Sequence, residues 1–321
     1  MIKTAVLAVS AITLFSMRPT LLPTHSLATP DSAATASDFH WSGTIPAGAW
    51  LRIRNLSGNV EVRRAQGTTV DVSATPEPTS DRWSFLSGPI EPVTFVTRNS
   101  GSDVVVCAVS KSVPDCAADD FNGPRNQMNW SPQPMRIVVQ LPAGVSIQSG
   151  SMHGDLLIAG TRGAVVASTG HGQISVSDVS GTVSASSGHG DLKLSGIASQ
   201  VKASTGHGDI NVSANGPVQA STGHGDIVVA LGATAAAGTG DMSFSTGHGN
   251  VSVRAPRDLR GTIDISTGNG QVSTDFPLTM SDEHNRSRPR SRPRSAHGTL
   301  GDNNRSVRMS SGHGDISLTN D

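Results

Sequence analysis

Seven histidines that share one place in a repeated phrase are the residues of this sequence most able to do chemistry. The phrase reads Ser-Thr-Gly-His-Gly-Asp-Ile-Asn-Val at 204–212. Its histidines are His153, His171, His189, His207, His224, His248 and His313, and Asn269 takes the same place in a further copy. Imidazole binds transition metals and titrates near neutral pH. The repeat therefore raises metal binding and proton binding as hypotheses.

A second polar column runs beside the histidines. Two positions after each histidine, or after Asn269, stand Asp155, Gln173, Asp191, Asp209, Asp226, Asn250, Gln271 and Asp315. Imidazoles one coil apart could share Zn²⁺, Ni²⁺ or Cu²⁺ with nearby carboxylates. The candidate ligands are His153, His171, His189, His207, His224, His248, Asp191, Asp209 and Asp226. No closed ligand set can be drawn from the sequence, so we expect no cofactor, with a divalent transition metal as the alternative.

A purely structural role for these residues is the interpretation that the sequence favours. Histidine and asparagine are both enriched at positive φ, and Asn269 replaces histidine in an otherwise intact phrase. Asp, Asn and Gln side chains stabilise turns by hydrogen bonding to the backbone. We therefore expect the repeated polar residues to be corner residues first, with ligand binding as the competing hypothesis.

Two other classes of site fit the sequence poorly. A calcium-binding nonapeptide array needs Gly-Gly-x-Gly-x-Asp, whereas Gly-His-Gly-Asp lacks the spacer and occurs once per repeat. A polysaccharide-degrading enzyme needs a distinct acid and base in a sugar-binding groove. Here the polar residues recur along the repeats, and Phe, Trp and Tyr together make up only 3% of the chain. We therefore predict a non-enzymatic protein.

The spacing of the histidines indicates which elements must position them. From His153 to His207 each step is 18 residues, and the later steps to His224, His248 and Asn269 are 17, 24 and 21. A period in this range indicates a solenoid of stacked repeats. Both flanks of the Gly-His-Gly core alternate apolar with polar residues, as half-buried strands do. Glycine permits positive φ, so the core itself predicts a corner.

We therefore predict an all-β fold, a parallel β-solenoid with coils of about 18 residues and two short strands per coil. A helical fold is excluded because Gly, Ser, Thr and Val dominate and no apolar run has helical spacing. The predicted inward residues are Val183, Ala185, Leu192 and Leu194 in one coil, and Val201, Ala203, Ile210 and Val212 in the next.

The chain divides into an export signal, a leader and one long domain. Residues 1–28 have the features of a secretory signal peptide: Lys3, an apolar stretch from Ala5 to Phe15, and a small-x-small cleavage site at 26–28. An uncleaved anchor is the alternative, although the apolar run is short for a membrane span of about 20 residues. Residues 29–39 are predicted to be a flexible leader. The solenoid is expected over 40–321, with no transmembrane segment after the signal.

An irregular insertion interrupts the solenoid at about 76–134 and contains both cysteines of the chain, Cys107 and Cys116. Trp83 and Trp130 also lie there, which suggests a small core of its own. In an exported protein the cysteine pair indicates one disulfide, worth roughly 2–3 kcal/mol in the chain-entropy description. Two reduced thiols that bind a metal are the alternative, but we find no further ligands at suitable spacing.

Regular coils resume after Met135 and run to about Leu278. Swollen corners at 230–240 and 254–261 are expected to be loops. A second irregular segment, 280–304, has five arginines between Arg286 and Arg294, which predicts a solvated extended loop or a contact for an anionic polymer. The segment from Met309 to Leu318 is then expected to close the stack after the Asn269 coil.

Four segments of the sequence resemble a known bacterial family. They are Leu-Pro-Ala-Gly-Val at 141–145, Cys-Ala-Val at 107–109 with the second cysteine, Thr-Asp-Phe-Pro-Leu at 274–278, and 298–302 followed by 310–316. These segments resemble the bacterial putative-adhesin family of exported β-solenoid proteins, a domain of unknown function. The likeness extends from about residue 40 to the end. It implies a fold and a surface location but supplies no catalytic residues, and the histidine column departs from the family's small or amide residues.

One function and one alternative follow from the sequence. The first is an exported scaffold in the periplasm, on the cell surface or in the medium, which binds an unidentified surface or envelope partner as an adhesin does. The alternative is a metal- or pH-responsive binding module built on the histidine column. The balance of 24 Lys plus Arg against 25 Asp plus Glu gives no sign of a nucleic-acid partner.

Overall fold

Two long β-sheets make up the protein in the computed structural model. The structure describes residues 38–78, 90–116, 131–281, 293–302 and 305–321. The predicted signal peptide, the leader up to residue 37, Trp83, Trp130 and residues 286–292 of the arginine cluster lie outside the described residues.

The described elements are 25 strands and one short helix. The strands before the first histidine corner are β1 (Phe39–Gly43), β2 (Trp50–Ser57), β3 (Val60–Arg64), β4 (Val70–Pro76), β5 (Thr94–Ser100), β6 (Asp103–Val109), β7 (Met135–Leu141) and β8 (Ser146–His153). The next are β9 (Leu156–Ala159), β10 (Val165–His171), β11 (Ile174–Val179), β12 (Val183–His189), β13 (Leu192–Ile197), β14 (Val201–His207), β15 (Ile210–Ala214), β16 (Val218–His224) and β17 (Ile227–Leu231). Helix α1 (Ala233–Ala237) precedes β18 (Met242–His248), β19 (Val251–Ala255), β20 (Gly261–Asn269), β21 (Val272–Thr274), β22 (Thr279–Ser281), β23 (Ser295–Leu300), β24 (Ser306–His313) and β25 (Ile316–Asn320).

Each regular coil contributes one strand to each sheet. The strand before the histidine corner joins a 13-stranded sheet, here called the ladder sheet, and the strand after it joins a 12-stranded second sheet. Neighbouring coils pair in parallel and in register: Val183 of β12 lies opposite Val165 of β10 and Val201 of β14. This arrangement confirms the predicted parallel solenoid with two strands per coil.

The hydrophobic core runs along the solenoid between the two sheets. All eight inward residues that the sequence predicted for two neighbouring coils are buried, with exposures between 0% and 4%. Ile210 is fully buried. The residues between them along each strand, such as Lys202 and Asn211, face solvent. The period-two alternation therefore assigned the inward face correctly.

The N-terminal end of the stack is formed by segments far apart in the chain. Strands β2 and β3 lie on β8 and β9, with Ser57 opposite His153. Strand β6 extends the ladder sheet beyond β2 and pairs antiparallel with β5, while β7, β4 and β1 extend the second sheet. The rings of Phe39 and Phe95 stack across this end at a centroid distance of 4.9 Å. Part of the predicted irregular insertion thus forms regular strands of the solenoid.

At the C-terminal end, the order of the coils differs from their order in the chain. Strand β24 lies between β18 and β20, and β25 lies between β19 and β21. The expectation that the last coil follows the Asn269 coil is therefore wrong: the Asn269 coil lies outside it and is covered in the ladder sheet by β23 and β22. Since every copy of the phrase offers the same hydrogen-bonding register, sequence order does not determine stacking order.

The buried side chain of Arg305 binds the last coil to the corner at 230–240, which was predicted to be a loop. The swollen corner at 230–240 contains helix α1, whose Ala235 and Ala236 are buried. Arg305 is 4% exposed; its Nε donates to the Arg260 carbonyl at 2.7 Å, and its Nη1 and Nη2 donate to the carbonyls of Ala235 and Ala236. Burial lowers the pKa of Arg305, and Asp302 partly opposes that shift. These carbonyl contacts compensate a buried charge that would otherwise be costly.

Within the described part of the chain, the structure contains no helix with the length and apolar character of a membrane span.

Replacing Ile210 by Asp tests the inward assignment. Ile210 is fully buried between the sheets, so an aspartate there would be an unpaired charge in an apolar core. We expect Ile210→Asp to lower the free energy of unfolding by roughly 3 kcal/mol or more, as measured by urea titration. Asn211→Asp, one residue further on the exposed face, is the matched control and should stay close to wild type. Equal midpoints for both variants would refute the assignment.

Candidate functional site

The histidines of the repeated phrase form one continuous column along the ladder sheet. Each ends a strand of this sheet and lies opposite the histidine of the next coil, as His171 does with His189. The order along the column is Ser57, His153, His171, His189, His207, His224, His248, His313 and Asn269. The seven histidines, here called the imidazole ladder, thus extend from the first clear phrase to the inserted last coil.

The rings of the imidazole ladder are parallel and evenly spaced. Centroids of successive rings are 4.7 to 5.0 Å apart, and the angles between ring planes are 1° to 6°. All seven residues are exposed. The spacing equals the distance between hydrogen-bonded strands, so the backbone register alone stacks the rings. The surface therefore offers seven equivalent imidazole edges in a straight row.

The glycine after each histidine makes the corner possible. Gly208 has a φ of 141°, and a Cβ on it would lie 2.4 Å from the carbonyl oxygen of Gly190 in the preceding coil. The same relation recurs along the column, with φ between 141° and 148° from Gly154 to Gly314. Only glycine combines this conformation with so close an approach of two backbones. The prediction that glycine forms the corner at positive φ is confirmed.

A column of buried hydroxyls fastens each corner to the one before it. Thr205 Oγ1 donates to the carbonyl of Gly190 at 3.0 Å. Equivalent bonds of 2.8 to 3.2 Å come from Ser151, Thr169, Ser187, Thr222, Thr246, Thr267 and Ser311. In the sequence this column is visible as a Ser or Thr two positions before every corner histidine and before Asn269, a pattern for which we predicted no role.

The acidic column also binds the backbone of the neighbouring coil. Asp209 Oδ1 accepts a hydrogen bond from the Asp226 amide at 2.8 Å, and Asp191 Oδ1 accepts one from the Asp209 amide at 2.9 Å. The same bond is made by Asn59, Asp155, Asp226, Asn250 and Asp315. Gln173, whose side chain is longer, bonds instead to Ser175 Oγ. The predicted backbone-capping role of the Asp and Asn residues is therefore confirmed.

The histidines themselves are not explained by backbone conformation. Among the described residues, Asp178 is the one non-glycine residue with positive φ. The expectation that histidine and Asn269 stand in the column because they tolerate positive φ is wrong, since the following glycine takes that conformation in seven of these corners. The backbone conformation of the corner therefore does not require histidine at this position.

The first imidazole differs electrostatically from an isolated one. Partial burial lowers the pKa of His153, and the charge of His171 lowers it further. Both effects disfavour the protonated form, because burial removes water and a neighbouring imidazolium repels a second positive charge.

The stacked rings are poorly arranged for a shared metal ion. Zn²⁺ binds histidine nitrogen at 2.0–2.1 Å, so two nitrogens on one ion are at most about 4.2 Å apart. Equivalent nitrogens of parallel rings are as far apart as the centroids, 4.7 to 5.0 Å. The described residues also contain no group of three or more His, Cys, Asp or Glu placed to hold an ion. Metal binding by the ladder thus remains a prediction that the geometry does not favour.

The two cysteines lie away from the ladder, at the N-terminal end of the ladder sheet. Cys107 and Cys116 form the predicted disulfide, with their Cα atoms 5.6 Å apart. They pack with Val105 and Val109 in a small apolar cluster on the side of β6 that faces away from the main core. The bond therefore attaches the segment after β6 to the end of the solenoid.

The described end of the arginine cluster lies beside the corner that contains Asn269. Of the range from Arg286 to Arg294, residues 293 and 294 are described, and Arg294 Nη1 donates to the Gly268 carbonyl beside Asn269 at 2.9 Å. At least one of the five arginines thus contacts the corner that ends the column after His313. Binding of an anionic polymer by this cluster remains a prediction.

The repeated corners from His153 to His313 lie within the part of the chain that matches a known protein family. The family model described as Toastrack DUF4097 matches residues 121–319. The chain belongs to the Toastrack family. None of the curated proteins compared with it matches.

Two solved structures are similar to this Toastrack protein. One is a putative cell adhesion protein from Clostridium sporogenes, with 10% identity, coverage of 89% of this chain and 100% of that chain, and a TM-score of 0.26. The other is a putative adhesin from Bacteroides fragilis, with 11% identity, coverage of 88% and 97%, and a TM-score of 0.37.

Asp209 provides a test of the acidic column. Removing its side chain in Asp209→Ala leaves the Asp226 amide without its acceptor, so we expect the free energy of unfolding to fall by about 1 kcal/mol. Asp209→Asn keeps an acceptor oxygen, as Asn250 and Asn59 do in their own coils, and should remain near wild type. Urea titration at neutral pH compares the two. If Asn costs as much as Ala, the contribution comes from the charge of Asp209 and not from this hydrogen bond.

Proposed function

We propose that this Toastrack protein is an exported, non-enzymatic interaction scaffold that holds a surface or envelope partner along its imidazole ladder, as an adhesin does. The observation that carries the proposal is the row of seven exposed, parallel imidazoles at 4.7 to 5.0 Å spacing. Neither the backbone conformation nor the described hydrogen bonds of the corners use these rings. A function in binding accounts for their repetition.

The uniformity of the ladder favours a long or repetitive partner. Apart from the first coil, where Met152 precedes His153, each coil of the ladder offers the same imidazole edge beside an exposed glycine, such as His189 after Gly188. Individually weak contacts to such a partner add, because binding at one coil raises the effective concentration of the partner at the next. A polymer with repeating polar groups fits this arrangement better than a compact ligand, which would use one or two coils.

The same uniformity supports a role without catalysis. Catalytic sites bring unlike groups with different pKa values to one place. Along the ladder, by contrast, each coil repeats the groups of its neighbours, and Asp191 and Asp209 already use an oxygen on the backbone. No described coil is distinguished as a reaction centre.

Export is the setting in which the disulfide is expected to persist. The Cys107–Cys116 bond is of the kind that forms and survives in oxidising compartments such as the periplasm or the cell surface. It supports the prediction that residues 1–28 direct the chain out of the cytoplasm. Detection of the mature chain in the envelope or medium, beginning near residue 29, tests this part of the proposal.

A pH-dependent form of the same function is favoured by the two charged columns. Carboxylates beside the seven imidazoles belong to Asp155, Asp191, Asp209, Asp226 and Asp315, and Arg294 lies at the far end of the column. Histidine is the side chain whose charge changes near neutral pH, so acid adds positive charge to a face that also carries these carboxylates. Acid would therefore shift the preference of the face from cationic towards anionic partners.

Substituting the ladder tests the proposal. His171, His189, His207 and His224 are changed together to Asn, which the Asn269 coil tolerates. We expect folding to be nearly unchanged and binding of the protein to intact cells to fall, with the loss of its pH response between about pH 5.5 and about pH 7.5, either side of the reference value for histidine.

The matched control is His297→Asn, an exposed histidine of β23 outside the ladder. Thermal unfolding must first show that both variants are folded. If wild type, control and ladder variant bound cells equally at both pH values, the imidazoles would have no part in binding and the proposal would be wrong. If the ladder variant still bound cells but no longer responded to pH, the protein would still be a scaffold, and the imidazoles would only regulate its binding.

A further inference from the structure

The out-of-order position of the last coil means that the rest of the chain builds a site for it. Residues 305–320 are called the closing coil here, and the space between β18 and β19 on one side and β20 and β21 on the other is called its seat. Both walls of the seat consist of residues 242–274, which precede the closing coil in the chain. The closing coil pairs in parallel with all four of these strands.

Recognition in the seat uses the same contacts as every other pair of coils. The Gly249 amide donates to the His313 carbonyl at 2.8 Å, and Ser311 Oγ donates to the Gly249 carbonyl at 2.8 Å. On the opposite side, Thr267 Oγ1 donates to the Gly314 carbonyl at 2.8 Å. The rings of His248 and His313 stack at 4.8 Å. The seat thus recognises the backbone and phrase of a coil.

Arg305 adds a contact that the phrase does not provide. Its guanidinium donates to the carbonyls of Ala235, Ala236 and Arg260, all of which lie before the closing coil. The Ser306 amide also donates to Asp241 Oδ1 at 2.8 Å. These contacts distinguish the closing coil from other copies of the phrase, because Arg305 immediately precedes strand β24 and Ser306 is its first residue.

We propose that the closing coil is exchangeable between copies of this protein, so that the seat of one copy can hold residues 305–320 of a second. The hydrogen-bond partners described for the coil lie within 235–275, so the coil of a second copy would make the same bonds. Exchange of an identical element costs little in contacts and is a known route to dimers. Addition of a strand from another chain to a sheet is an established form of recognition.

The link between β19 and β20 is long enough for the closing coil to leave the seat without leaving unpaired strands. Residues 256–260 form a five-residue link between β19 and β20, whereas the links at 180–182, 198–200 and 215–217 have three residues. Three residues are enough for a step to the adjacent coil. The Asn269 coil can therefore close onto β18 and β19 when the closing coil leaves, which lowers the cost of the open state.

Two single-cysteine variants can detect the exchange in the full chain. Ser317 of the closing coil lies opposite Ser273 of β21 in neighbouring parallel strands. Such strands are about 4.8 Å apart, within the Cα range of 4.4–6.8 Å for a disulfide. Ser273→Cys and Ser317→Cys proteins are mixed, unfolded without reductant, refolded together at high protein concentration and mildly oxidised. The unfolding step is carried out at acid pH, where the introduced thiols are protonated and do not exchange with the Cys107–Cys116 disulfide.

Exchange predicts a disulfide-linked heterodimer whose yield rises with protein concentration. Ser175→Cys is the matched control for Ser273→Cys, because it holds the same place in a distant coil of the second sheet. The double variant Ser273→Cys and Ser317→Cys must form its bond within one chain, which shows that the pair can be joined. Adding Ile316→Asp to the Ser317→Cys protein should abolish the heterodimer, since Ile316 is buried in the seat.

The proposal would be overturned if Ser273→Cys gave no more heterodimer with Ser317→Cys than Ser175→Cys gives. The comparison is valid when the double variant forms its bond within one chain. An equal yield would mean that the closing coil returns only to its own seat or that the Asn269 coil takes its place. Neither outcome bears on the imidazole ladder, because the test measures covalent linkage and not binding to cells.

Discussion

The close approach of neighbouring backbones at the histidine corner is the constraint on which the rest of the structure depends. A Cβ on Gly208 would lie 2.4 Å from the Gly190 carbonyl, so this position accepts no side chain, and its φ of 141° excludes other residues as well. Once the corners are in contact, the strands on both sides are held in register at the spacing of a β-sheet. The alternation of apolar residues then fills the space between the sheets, coil after coil. The stacked rings of the ladder follow from the same register.

Some polar side chains at the corner hydrogen-bond to the backbone of a neighbouring coil, and others do not. Thr205 Oγ1 satisfies a carbonyl of the preceding coil, and the Asp209 carboxylate satisfies an amide of the following one. A backbone packed this tightly would otherwise leave unsatisfied groups, each of which costs about 1–3 kcal/mol when buried. The histidine side chains have no such task, yet they recur in seven corners. This contrast between neighbouring columns is why function is assigned to the imidazoles and not to the acids beside them.

Repetition gives the solenoid its regularity but removes information about order. Every corner offers the same donors and acceptors, so the coil that contains His313 can lie beside that of His248 although the Asn269 coil comes between them in the chain. Order is then decided by residues that are not repeated. Arg305 and the carbonyls of α1 provide such a contact. A repeat protein of this kind depends on a few irregular residues for its unique arrangement.

The sequence by itself determined the fold class, the inward residues, the glycine corner and the disulfide. These follow from local rules, because period-two alternation, the φ range of glycine and the pairing of two cysteines depend on few neighbours. Only the tertiary structure decided the insertion of the last coil, the helix at 233–237 and the conformation of the histidines. Stacking order depends on contacts such as those of Arg305, which join residues up to 70 positions apart. The buried hydroxyl column was visible as a repeated Ser or Thr, but its partner, a carbonyl one coil away, exists only once the coils are stacked.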